Sequence, residues 1–153
     1  MGQEVSTYQD FSTDDPLIQI DHEVYIGGTH HLTLEIVQKY KIGAVLSFGP
    51  TPIDYLPSVC DYLHISLAKQ TPQSTTQKLT TSITYVKNAK KNSVPILIIK
   101  DFSDQTPFFL ISYLMATVPL SFEDANTLVF SKLTLLPLTE HHTTYFHSFP
   151  LRL

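Results

Sequence analysis

The sequence predicts an α/β fold, one packed domain in which apolar strands alternate with helices. Two observations carry this. Val94 to Met115, VPILIIKDFSDQTPFFLISYLM, reads as an apolar strand (Ile96, Leu97, Ile98, Ile99), a short polar loop, and a helix opening at Thr106-Pro107. That order is the general unit of a parallel sheet covered by helices. The chain also has 153 residues, 42% hydrophobic and 11% aromatic, which suits one domain with a sizeable core.

The elements follow in order. Residues 1–16 are polar, with Asp10, Asp14, Asp15 and Pro16 ahead of the first apolar run, and read as a tail before a domain over 17–153. Ile18, Ile20, Val24 and Ile26 alternate as in a hairpin or two short strands. Leu32 to Tyr40 carries Leu32, Leu34, Ile36 and Val37 and predicts a short helix. Gly43 precedes a buried strand over Ala44 to Phe48, and Gly49-Pro50-Thr51-Pro52 is a turn-rich break. Asp61 to Leu67 predicts another strand, with Cys60 as an ordinary strand residue. Leu79, Ile83, Val86 and Ala89 fall at helical spacing within Ser74 to Asn92, with Lys87, Lys90 and Lys91 outside or at its end, where they favour the helix dipole. The helix from Thr106 runs to Thr117, before Pro119. Ser121-Phe-Glu-Asp opens another helix with an N-cap hydroxyl and first-turn acids. Thr139 to Phe149 predicts a last helix, held by Tyr145, Phe146 and Phe149.

Five segments resemble the dual-specificity, cysteine-based phosphatases. Val24-Tyr25-Ile26-Gly27-Gly28 is similar to their early strand and turn, and Lys41 to Ser47 to their second buried strand. Tyr62 to Leu67 with Gln70-Thr71-Pro72 resembles the segment that carries the general acid. Val94 to Met115 resembles the strand, HCxxGxSRS loop and following helix, and Ser121 to Ala125 a later helix start. The resemblance covers residues 17–149 in the family's order. It implies a central five-stranded mixed sheet, mostly parallel, flanked by helices. It also implies a cleft lined by the loops at Gln70, Lys100 to Gln105 and Pro137 to Glu140. An unrelated α/β fold remains the alternative, with the loop a mere connection, Asp104 or Thr106 an N-cap and Pro107 the first helical residue.

The chain departs from the family where the chemistry resides. The resemblance aligns Ile98 with the signature histidine, Ile99 with the nucleophilic cysteine and Phe102 with the glycine. Gln105 then takes the place of the arginine, Thr106 of the hydroxyl residue and Gln70 of the general acid. A one-residue shift puts Lys100 on the cysteine instead. The single cysteine, Cys60, and single arginine, Arg152, both lie outside this loop, so no Cys-x5-Arg motif exists. Only a thiolate attacks phosphorus in such enzymes. A glutamine offers neither the charge nor the fork of a guanidinium. The amide of Gln70 cannot titrate. Asp101 and Asp104, within Lys100-Asp101-Phe102-Ser103-Asp104, add negative charge where a phosphate dianion would sit, and Lys100 offsets only part of it, so the loop is expected to fail at phosphate binding as well as catalysis. The expectation is a catalytically inactive domain serving as a protein-binding or structural module within a larger assembly. Two alternatives stay open: an enzyme using Lys100, Asp101, Asp104 and His64 in the same cleft, and a reader of phosphopeptides.

The remaining features bound the partners. A net charge of −4 argues against nucleic acid, which calls for a basic stripe. Charged residues make up only 16%, so part of the surface is expected to meet a protein rather than water. A single cysteine excludes an intrachain disulfide and fits a reducing, intracellular compartment. No apolar run approaches membrane-spanning length, and no secretory signal is present. Met1 to Ser6 matches the N-myristoylation pattern at Gly2, but one acyl chain anchors only weakly. Glu140-His141-His142 with His147 lacks a recognised zinc spacing and reads as surface histidines on a terminal helix; His30-His31 sits at a turn. No cofactor or metal is expected.

Overall fold

The computed structural model describes residues 17–49, 59–100 and 103–148. Five strands form one sheet in the order β1-β2-β5-β3-β4: β1 Ile18–Asp21, β2 Val24–Gly27, β3 Ala44–Phe48, β4 Asp61–Ile65 and β5 Ile96–Ile99. β1 and β2 form the expected hairpin, antiparallel, while β2, β5, β3 and β4 run parallel. The helices are α1 Leu34–Tyr40, α2 Pro72–Lys91, α3 Gln105–Thr117, α4 Phe122–Lys132 and α5 Glu140–Ser148. The predicted mixed, mostly parallel sheet flanked by helices is therefore the observed one.

Strand side chains alternate between faces, so each strand feeds two cores. On one face Ile26, Leu46, Ile96 and Ile98 meet Leu79, Ile83 and Val86 of α2, Phe108 and Phe109 of α3, Val129 of α4 and Phe146 of α5. On the other, Val45, Leu97 and Ile99 meet a smaller layer of Leu32, Val37, Ile42 and Cys60. Every residue of α3 from Gln105 to Leu114 is buried, as befits a helix apolar nearly all round. Asp21 ties the hairpin to this body: its Oδ2 accepts from Lys90 Nζ at 2.6 Å and from the Tyr113 hydroxyl at 3.0 Å.

Side chains set most helix starts. The hydroxyls of Thr33, Thr71 and Ser121 accept from the N–H groups of Ile36, Ser74 and Asp124 and begin α1, α2 and α4. Hence α1 starts after Thr33 rather than at Leu32, and α2 starts at Pro72 rather than Ser74, because proline suits the first turn. β4 ends at Ile65, two residues short of Leu67, and Cys60 lies just before it rather than within it. Tyr145 and Phe146 are buried as expected, while Phe149 lies outside the described residues.

Gly27 closes β2 under the ring of His31. A Cβ there would meet His31 Nδ1 at 2.5 Å and Leu17 Cδ1 at 2.8 Å. That Nδ1 accepts the Gly28 N–H at 3.1 Å. Gly27→Ala is expected to expel the ring, orphan the Gly28 N–H and cost about 1–3 kcal/mol in urea unfolding. An unchanged midpoint would show that His31 is dispensable.

Candidate functional site

The loop after β5 opens at the carboxyl edge of the parallel strands, where α/β folds place ligands. Ile98 and Ile99 do not reach into it. Both are buried, Ile98 in the larger core and Ile99 in the smaller. Ile99 pairs with Gly27 on one side and Ser47 on the other, so it completes the sheet. The Lys100 N–H donates to the Gly27 carbonyl at 2.7 Å and extends that pairing. Asp101 and Phe102 lie outside the described residues, as does Gly2. Phe108 packs beneath α5 against His142, Tyr145 and Phe146.

Asp104 holds the N-cap position of α3, yet its side chain makes no cap bond. Its Oδ2 accepts the Thr139 N–H at 2.8 Å and lies 2.6 Å from His142 Nδ1. His142 Nε2 lies 2.8 Å from the Leu67 carbonyl. The two side chains are only 7% and 4% exposed. Burial alone would raise the Asp104 carboxyl, but His142 and the Thr139 N–H outweigh it and hold the group below the ordinary carboxylate range. With Asp104 ionised, His142 Nδ1 donates to its carboxylate, while Nε2 faces the Leu67 carbonyl. The result is a buried carboxylate–imidazole pair, with the Phe108 ring stacked on the imidazole at 3.9 Å between centroids and 9° between planes.

This corrects two expectations. Asp104 does not present its charge to an incoming phosphate, because its charge is spent inside the protein. His142 is not a surface histidine: α5 places it one turn before Tyr145 and Phe146 on the buried face. That spacing is visible in the sequence and could have marked it as buried. The partner 38 positions away could not be read from it.

The glutamines are equally committed. Gln105 Oε1 accepts the Leu67 N–H at 2.6 Å, and Ser103 Oγ accepts the Gln105 N–H at 3.2 Å. Leu67 is thus gripped at both its N–H and its carbonyl. Gln70 donates through Nε2 to the carbonyls of Ser66 and Ala68 at 3.2 and 2.9 Å, and its Oε1 accepts from Ser74 Oγ at 2.6 Å. Thr106 is wholly buried. A pocket of about 330 Å3 remains, lined by Ala68, Lys69, Ser103, Asp104, Thr139 and His141 among others. Burial, with Lys69 and His142 nearby, pushes the His141 imidazole below its usual range.

His64 is engaged elsewhere. Its Nδ1 lies 2.8 Å from Ser47 Oγ, and its Nε2 bonds the Gly49 carbonyl. His64 and Asp104 therefore make their hydrogen bonds with different partners. Cys60 is buried, with Sγ donating to the Ile42 carbonyl at 3.6 Å, and burial pushes its thiol up, away from thiolate character. Among the described residues no group of three or more His, Cys, Asp or Glu could hold a metal ion.

No family model and no curated protein sequence matches the chain. Solved structures do. A leucine-rich repeat and phosphatase domain containing protein from Entamoeba histolytica matches with a TM-score of 0.69 and 18% identity over 92% of each chain. A mouse putative dual specificity phosphatase matches with a TM-score of 0.71 and 14% identity, over 89% of this chain and 88% of that one. The fold is that of the dual-specificity phosphatases. A human tyrosine phosphatase-like serine/threonine/tyrosine-interacting protein shares it, with a TM-score of 0.71 and 15% identity over 87% of this chain and 94% of that one.

Proposed function

We propose that the chain is a catalytically inactive phosphatase-like domain acting as a protein-binding or structural module inside the cell, with a protein as its partner and no cofactor. One observation carries this reading: positions that align with reactive groups are taken by residues with internal duties. Ile98 and Ile99 belong to the sheet's two cores, Gln105 holds Leu67, and Gln70 closes its own loop. The low share of charged residues, 16%, supports a surface made for another protein. The human neighbour's description pairs the same two properties, phosphatase-like and interacting. Among the described residues no helix is long and apolar enough to cross a membrane.

Purified protein is expected to hydrolyse aryl phosphates and phosphopeptides no faster than buffer. Turnover that survives purification and falls with Asp104→Asn would overturn the inactive reading and favour the non-cysteine enzyme. The binding half is tested by affinity capture with the parent and with a Lys69→Glu/His141→Glu variant of the pocket face. A partner held by the parent and lost by the folded variant is expected; capture unaffected by the variant would move the interface off this face.

A further inference from the structure

We infer that Asp104 fills an intact seat for a small carboxylate, which the chain keeps occupied with its own side chain. The seat has two donors on one oxygen: the Thr139 N–H at 2.8 Å, and the Nδ1–H of His142 at 2.6 Å. His142 is fixed from behind by the Leu67 carbonyl at 2.8 Å and from the side by the stacked Phe108 ring. It is 3% exposed and keeps its place through these contacts, not through Asp104 alone. The Thr139 N–H stands at the start of α5, where the helix dipole favours negative charge. Lys69 and His141 line the adjoining pocket, which gives a small anion a path to the seat. Nothing about this arrangement needs the carboxylate to be covalently attached. A small carboxylate matches the two donors that now meet one oxygen of Asp104.

The seat adjoins the proposed binding face but rests on the Asp104 contacts alone. Failure of the experiment below therefore leaves the inactive reading standing, and residual hydrolysis leaves the seat standing.

The test is rescue by added anion. Asp104→Gly empties the seat, and its melting temperature is expected to fall by several degrees or more. Sodium acetate or formate is expected to restore part of the loss saturably, beyond any effect of sodium chloride at equal ionic strength, and to leave the parent unshifted. The double variant Asp104→Gly/His142→Phe is expected to lose the acetate response. Equal effects of acetate and chloride on Asp104→Gly would overturn the inference, as would an acetate response that persists in the double variant. Should Asp104→Gly not fold in chloride, refolding yield is the readout. Recovery in acetate supports the seat; equal failure in both salts overturns it.

Discussion

Ile99→Ala is expected to destabilise the protein by roughly 2–5 kcal/mol, the usual cost of emptying a buried isoleucine site. Ile99 is 1% exposed and packs with Leu32, Val37, Ile42, Val45, Cys60 and Leu97 in the smaller core. That core has few members, so the loss of one branched side chain is a large fraction of its contacts. The neighbouring strands are held by main-chain pairing at Gly27 and Ser47 and cannot slide in to close the gap. Urea unfolding measures the effect directly. A midpoint within error of the parent would mean that the layer under α1 collapses freely. Ile99→Cys fits the same space and, on the proposed inactive reading, is expected to leave hydrolysis at background, because the resemblance sets Gln70 and Gln105 against the acid and the arginine.

His142→Ala is expected to cost a further large amount, about 3–5 kcal/mol, because it strands the buried Asp104 carboxylate that His142 bonds. Asp104 would keep only its Thr139 contacts, the Leu67 carbonyl would lose its His142 partner, and Phe108 would lose its stacked ring. The pH dependence identifies the cause. The folded-state Asp104 carboxyl titrates below its unfolded value, so its contribution is fully present above about pH 4 and is lost as pH falls through the folded value. Asp21 behaves likewise: burial would raise it, but Lys90, the His22 N–H and the Tyr113 hydroxyl together lower it. Its share remains in both proteins. Acidification from neutral pH to about pH 3 is therefore expected to destabilise the parent more than His142→Ala. Equal losses would show that the pair adds nothing to acid sensitivity.

The sheet and most of the helices were legible because their signals are local. Alternation at Val24 and Ile26, the unbroken apolar run at Ile96 to Ile99 and the hydroxyls of Thr71 and Ser121 each act within a few residues. Family order supplied the sheet's mixed character. The site was legible in its losses, since a missing cysteine or arginine can be read from composition. What those positions gained could not be read so. Gln105 and Asp104 look alike as polar loop residues. Only the fold shows one bonded to Leu67 and the other to His142, at separations of 38 residues each. Helical spacing marks His142 as buried, but a histidine in a polar Glu-His-His-Thr-Thr stretch does not announce a carboxylate partner.

The double grip on Leu67 also orders events in time. Its two holders lie 38 and 75 positions further along the chain. On a ribosome, the strand ending at Ile65 and the start of α3 emerge well before α5. Until α5 docks, the Leu67 carbonyl lacks its His142 partner, and the Asp104 carboxylate lacks both His142 and Thr139. The loop thus gains its last hydrogen bonds only when the C-terminal helix arrives, after all five strands of the sheet have been synthesised.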